Sequence, residues 1–156
     1  MRPAWSSRKV NDLVWRIAGT RTFRIDSFST KIVPSSYLGR RVVILTSART
    51  VSAGEELAYN MKVLGRATVI GETTKGGANP GGIERVGSRL VAFIPTGQAR
   101  NPTTGTNWEG AGVAPDIHAS AADALAVAMR ELRVPNVRSK ALGELTTEAV
   151  FRPAGH

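Results

Sequence analysis

The sharpest hydrophobic pattern lies in the middle of the chain and predicts a strand, a helix and a second strand. The run RVVILT (41–46) is apolar and β-branched, as in a strand buried in a parallel or mixed sheet. Apolar residues then recur at helical spacing over 53–64, with acidic residues in the first turn and a lysine in the last. The run ATVIG (67–71) repeats the strand pattern. Together they predict a βαβ unit, in whose helix Leu57, Met61 and Leu64 fall at helical spacing.

The segments on either side of this unit are less regular. Residues 83–86 and 89–95 are two strand-like runs joined by a Gly-Ser turn, which predicts a hairpin. Residues 96–115 are rich in glycine, threonine and proline, and we expect a long irregular loop that lines a site. Residues 123–133 are amphipathic and predict a final helix. No clear period emerges in 10–38.

The length and composition fit one globular domain. A chain of 156 residues with 42% hydrophobic and 21% charged residues can bury one ordinary core. We expect an α/β domain over 10–133, preceded by a basic lead-in (1–9) and followed by a loose tail (134–156). The longest apolar runs are far shorter than the ~20 residues that span a bilayer, so no membrane span is expected. No signal-peptide pattern is present, and the compartment stays open.

The net charge of +9 comes mainly from the N-terminal region. Residues 1–41 contain nine of the 21 lysines and arginines, balanced only by Asp12 and Asp26. No nucleic-acid-binding motif accompanies this excess, so a solvated basic arm is favoured over a nucleic-acid contact. The chain has no cysteine, which excludes disulfides, thiolate metal sites and a cysteine nucleophile.

Ser52 is the first candidate for chemistry, because it lies between the predicted strand and the start of the helix. A nucleophilic hydroxyl there would face the positive end of the helix dipole, and the Ala53 N–H would donate to a developing oxyanion. The sequence Ser52-Ala53-Gly54-Glu55 also fits a capping box, in which the serine only caps the helix. On spacing alone both interpretations stay open.

Glu109 is the second candidate, in the loop between Trp108 and Gly110. A partly buried carboxylate beside an indole could orient an imidazole, although an isolated loop glutamate is equally compatible with the local sequence. His118 is expected to be a surface histidine at a strand end. Neither His118 nor His156 has metal-ligand spacing to another histidine, and the glycine-rich loop 76–82 lacks a phosphate-binding ending, so no metal or cofactor is expected.

Two longer blocks make these candidates specific when they are taken together. The stretch VVILTSARTVSAGEELAYNMKVLGRATVIGETTKGGANPGG and the later NPTTGTNWEGAGVAPDI resemble the tail-specific (C-terminal processing) serine peptidase family. The branch that they resemble includes the tricorn core and interphotoreceptor retinoid-binding protein. The resemblance covers roughly residues 10–132. It implies a ClpP/crotonase-like α/β fold, a nucleophile at Ser52, an oxyanion donor at Ala53 and a histidine-orienting carboxylate at Glu109.

The family also carries upstream a general-base histidine and a glycine-rich turn that donates a second oxyanion N–H, and no residue of this sequence maps onto them. The resemblance therefore implies the C-terminal half of a catalytic domain, inactive alone, that acts on unstructured polypeptide when a partner chain supplies the missing half. A triad without its base loses most of its rate. An association of copies through uncovered apolar surface is also expected. The alternative is a non-catalytic module of the same fold that binds apolar ligands or peptides.

Overall fold

A computed structural model describes residues 7–31 and 39–135 of the chain. These two ranges contain eight strands and two helices, which in chain order are β1 (Lys9–Arg16), β2 (Phe23–Ser29), β3 (Val43–Thr46), α1 (Ala53–Val63), β4 (Thr68–Gly71), β5 (Gly81–Val86), β6 (Leu90–Pro95), β7 (Gly97–Arg100), β8 (Ile117–His118) and α2 (Ala124–Glu131). Most of the predicted lead-in and nearly all of the predicted tail lie outside the described residues. No helix in the described ranges is long and apolar enough to cross a membrane.

The central βαβ unit forms as its hydrophobic pattern predicts. β3 and β4 pair in parallel, with Val43 opposite Thr68 and Thr46 opposite Gly71, and α1 connects them. β8 adds a third parallel strand on the far side of β4. Val69 and Ile70 of β4 are fully buried, as expected of the middle strand. This sheet places the end of β3 and the start of α1 at one edge.

Burial in this unit follows its apolar pattern only in part. Leu45 on β3 is 43% exposed and Leu57 on α1 is 58% exposed, while the buried residues of α1 are Glu55, Ala58 and Asn60. β3 is an edge strand among the described residues, so part of its surface has no neighbour. The two polar residues are buried because loops donate hydrogen bonds to them. The inner face of α1 is therefore set by hydrogen bonding as much as by apolar spacing.

A three-stranded antiparallel sheet occupies the regions in which no period was evident. β1 pairs with β2 on one side and with β7 on the other, where Leu13 lies opposite Ala99. The expectation that 96–115 is irregular throughout is therefore wrong over β7. β1 also begins at Lys9, inside the predicted lead-in. These strands depend on partners distant in sequence, which local periodicity does not reveal.

The predicted hairpin is confirmed as β5 and β6, which pair with each other in a separate two-stranded sheet. Its apolar side chains are largely exposed, including Ile83 at 74% and Phe93 at 59%. The predicted last helix is confirmed as α2, and the turn that leads into it is closed by reciprocal hydrogen bonds between Ser120 and Asp123.

The core joins the two larger sheets through Trp108, which is only 2% exposed. Its ring centroid lies 5.2 Å from that of Tyr59 on α1. The buried residues around it come from α1, β4, β7 and the loop before β8: Ala58, Val69, Ala99, Trp108 and Val113. Because Glu109 follows Trp108 directly, burial of the indole fixes where this carboxylate lies.

Candidate active site

Ser52 lies at the turn from β3 into α1 with a backbone conformation that favours glycine. Its φ is 57° and its ψ is −123°, and the Gly54 N–H closes the turn onto the Val51 carbonyl at 3.3 Å. This is the first central position of a type II′ turn, which glycine occupies most readily. A non-glycine residue there costs on the order of 1–3 kcal/mol. Such strain is concentrated at functional sites, so it supports a role for Ser52 beyond that of a helix cap.

The capping alternative is realised mainly by the backbone of Ser52. The capping-box pairing of Ser52 with Glu55 is present, but the serine hydroxyl makes no side-chain cap hydrogen bond. The Ser52 N–H donates to Glu55 Oε2 at 2.9 Å, and the Glu55 N–H donates to the Ser52 carbonyl at 2.9 Å. Ser52 is nevertheless exposed and lines the cavity described below, so capping the helix is compatible with a second role for the same serine.

Glu55 is a fully buried carboxylate with four hydrogen-bond donors and no cationic partner among the described residues. Oε1 accepts from the Thr74 hydroxyl at 2.5 Å and from the Gly76 N–H at 2.6 Å, while Oε2 accepts from Gly77 and Ser52 N–H groups, both at 2.9 Å. Burial raises the pKa of Glu55, but these four hydrogen bonds outweigh it and hold the pKa below its ordinary value of 4.5. The carboxylate thus ties the Ser52 turn to the glycine-rich loop.

Thr74 extends this network to the segment that contains Glu109. Its hydroxyl donates to Glu55 and accepts from the Val113 N–H at 2.7 Å. The Gly110 N–H donates to the Gly76 carbonyl at 2.8 Å, which adds a second tie. The two predicted site residues therefore lie on segments that one hydrogen-bond network connects.

Glu109 is exposed, and one of its oxygens is held by backbone groups. Oε2 accepts from the N–H groups of Ala78 and Asn79 at 2.7 and 2.8 Å. The Glu109 N–H donates to Asn107 Oδ1 at 2.9 Å. Oε1 has no hydrogen-bond partner among the described residues. A fixed carboxylate with one available oxygen has the form of a group that orients an imidazole.

Ser52, Ala53 and Glu109 line one open cavity of about 650 Å³, with Trp108 in its wall. The Ala53 N–H has no acceptor within the described part of the chain and opens helix α1, as an oxyanion donor requires. His118 lies exposed at the end of β8 and does not line this cavity. Across residues 7–31 and 39–135, no group of three acidic or histidine side chains is placed to hold a metal.

Sequence reasoning placed Glu55 in a helix cap and missed its role as the centre of the site. Three of its four donors are 19 to 22 residues away in the chain, so no local pattern indicates them. The glycine-rich loop gave the available signal: a Cβ at Gly76 would lie 3.0 Å from the Gly110 backbone, and one at Gly112 would lie 2.2 Å from the Thr74 carbonyl oxygen. Close backbone approach explains these glycines without any nucleotide.

At most positions alanine stabilises a folded protein more than glycine does. We expect the reverse at position 52 because of its positive φ. Ser52→Gly should be more stable than Ser52→Ala by about 1 kcal/mol, because both remove the hydroxyl but only glycine relieves the positive φ. Urea unfolding of the two variants measures the difference. Ser88, in the hairpin turn at ordinary φ, is the matched control, and there alanine should be the more stable variant. A less stable Ser52→Gly would contradict the strained conformation.

Glu55→Gln should lower the free energy of unfolding by about 3 kcal/mol at pH 7, because an amide turns its own N–H₂ toward buried donors. The folded pKa is depressed, so the stabilisation by Glu55 is complete above its ordinary pKa of 4.5 and is lost as the pH falls through the folded pKa. Denaturation of the original chain and of Glu55→Gln as a function of pH should show a constant difference in the free energy of unfolding near neutrality. This difference, called the gap below, should shrink in acid. Glu84→Gln, which alters an exposed carboxylate, should show no gap. A gap that widens in acid would contradict this account.

Comparison with known proteins agrees with this geometry. The model of peptidase family S41 matches residues 18–119, which is more than half of the chain. The photosystem II D1 C-terminal processing protease is similar over 74% of this chain and 28% of its own, at 20% identity and a TM-score of 0.54. A lipoprotein from Streptococcus agalactiae is similar over 83% of this chain and 46% of its own, at 16% identity and a TM-score of 0.55.

A Parabacteroides merdae protein provisionally named as a peptidase is similar over 81% of this chain and 43% of its own, at 17% identity and a TM-score of 0.65. At these identities the similarity concerns the fold, and the chain spans less than half the length of each of these structures. The expected α/β fold and the expected resemblance to tail-specific serine peptidases are both confirmed. By its sequence, the chain belongs to peptidase family S41.

Proposed function

We propose that this chain contributes the nucleophile and the histidine-orienting carboxylate of a serine peptidase that acts on unstructured polypeptide. The observation that carries the proposal is the strained turn at Ser52, whose exposed hydroxyl opens into the cavity that Glu109 also lines. A strained serine at a strand-to-helix turn is a recurrent arrangement for nucleophiles. The family assignment supports the same reaction class.

The proposed chemistry is acyl transfer. A histidine accepts the proton of the Ser52 hydroxyl as its oxygen attacks the substrate carbonyl, and the Ala53 N–H stabilises the oxyanion. The histidine, oriented by Glu109 Oε1, then donates that proton to the leaving amine, and water hydrolyses the acyl-enzyme. His118 does not line the cavity, so the proposal takes this histidine from outside the described residues. Without this histidine we propose that the chain has only background activity, and that a partner which supplies the histidine restores the rest.

Labelling with a fluorophosphonate probe tests the nucleophile, and free imidazole takes the place of the proposed histidine. Labelling of the chain should be slow and should accelerate at least about tenfold with imidazole, because a positioned base contributes large factors to such steps. Ser52→Ala should abolish labelling, and Glu109→Gln should remove most of the acceleration. Mass spectrometry of the labelled peptide locates the adduct.

Ser88→Ala provides the control for the labelling experiment, since it removes an exposed hydroxyl far from the cavity and should change nothing. Absence of label with imidazole, and also with an upstream fragment that carries the family histidine, would sink the proposal.

The apolar wall of the cavity favours a second candidate function, the binding of an apolar ligand without catalysis. Leu13, Phe93 and Trp108 lie in this wall together with Ala99. Such a lining is typical of sites for small apolar molecules. Titration with retinol or a fatty acid, followed by Trp fluorescence, should then show saturable quenching that Phe93→Ala weakens. Quenching that rises linearly without saturation would remove this candidate.

A further inference from the structure

The cavity beside Ser52 combines apolar walls with a carboxylate that the proposed reaction does not use. Glu56 lies four residues after Ser52, one turn along the same face of α1, and both line the cavity. Glu109 is the other acidic residue in the lining. No lysine or arginine described by the structure lines it. The cavity is therefore locally acidic in a chain of net charge +9.

Glu56 is held in place from the buried side of the cavity. Its Oε1 accepts a hydrogen bond from Asn11 Nδ2 at 2.8 Å, and Asn11 on β1 is only 1% exposed. The other polar atom of this amide, Oδ1, is buried without a partner in the described ranges, so the bond to Glu56 is the one hydrogen bond that the Asn11 side chain makes there. Within the same ranges Glu56 makes no ion pair, and its Oε2 has no hydrogen-bond partner. Glu56 is thus tethered at one carboxylate oxygen while it lines the cavity.

A substrate side chain that fills this cavity contacts the methyl groups and rings of its walls and also the negative charge of Glu56. A long aliphatic stem buries well against such walls, and its terminal cation compensates a partly desolvated carboxylate. An acidic residue would meet two like charges, and a purely apolar residue would leave Glu56 uncompensated. Lysine and arginine combine an aliphatic stem for the apolar walls with a cation for the carboxylate.

We propose that the cavity selects a cationic residue of the polypeptide substrate next to the cleaved bond, and that Glu56 is the specificity-determining residue. The inference rests on the proposed function in taking the cavity as the substrate site. It requires binding alone, which leaves it open to a test that is independent of the nucleophile.

Fluorescence anisotropy with the Ser52→Ala chain tests this preference. The probes are fluorescein-labelled unstructured nonapeptides of alanine, glycine and serine with lysine, norleucine or glutamate at the centre. The lysine peptide should bind at least about fivefold tighter than the norleucine peptide, which has the same stem without the charge, and the glutamate peptide should bind weakest. Glu56→Gln keeps the acceptor for Asn11 and should reduce the lysine-to-norleucine ratio by at least about half, because Glu109 alone then supplies negative charge.

Glu84→Gln is the matched control. Glu84 is exposed on β5, and because side chains alternate along a strand, it lies on the opposite face of the hairpin from Ile83 and its partner Phe93. It removes the same charge and should leave the ratio unchanged. If circular dichroism shows that Glu56→Gln does not fold, a salt titration of the Ser52→Ala chain decides. The ratio should fall as sodium chloride rises from about 50 to about 500 mM.

Equal affinity for the lysine and norleucine peptides, a ratio that survives Glu56→Gln, a ratio independent of salt, or no binding of any peptide would overturn the inference. Charge-selective binding without phosphonate labelling would instead reject the proposed catalysis and retain the specificity of the cavity.

Discussion

The buried carboxylate of Glu55 is the interaction on which the arrangement of this site depends. Four donors from two separate segments, the turn at Ser52 and the stretch 74–77, converge on its two oxygens, and they include the backbone N–H of Ser52 itself. An ionised carboxylate in the interior is costly unless its lone pairs are satisfied, so the segments that satisfy it cannot move independently. The position of the nucleophile candidate is thus set by an anion that takes no part in the proposed reaction.

The glycine-rich loop serves both carboxylates of the site through its backbone. Gly76 and Gly77 donate their N–H groups to Glu55, and the next two residues, Ala78 and Asn79, donate theirs to Glu109. Successive N–H groups that point at anions form the kind of concave site in which other proteins hold phosphates. Here the anions belong to the protein, and the small residues allow neighbouring backbone to approach.

The local hydrophobic pattern predicted the elements that pack against their neighbours in sequence. β3, α1 and β4 follow one another, and their apolar runs indicate them directly. β1 and β7 were missed because their pairing joins residues more than 80 positions apart, as in Leu13 with Ala99. The candidate site was predicted differently, since Ser52 and Glu109 became specific through the family motifs. Neither pattern nor motif indicated the positive φ of Ser52, because a serine carries no local signal for that conformation.

At position 52 the residue that best fits the backbone conformation differs from the residue that the proposed reaction requires. Glycine suits a φ of 57°, so the substitution that removes the hydroxyl there is also the one that relaxes the backbone. Mutation and drift acting on folding alone would move position 52 toward glycine, by a change of one nucleotide in some serine codons. The presence of serine instead is what selection for its hydroxyl would maintain. A serine at this φ is therefore the residue that the proposed nucleophile requires and that the backbone by itself does not favour.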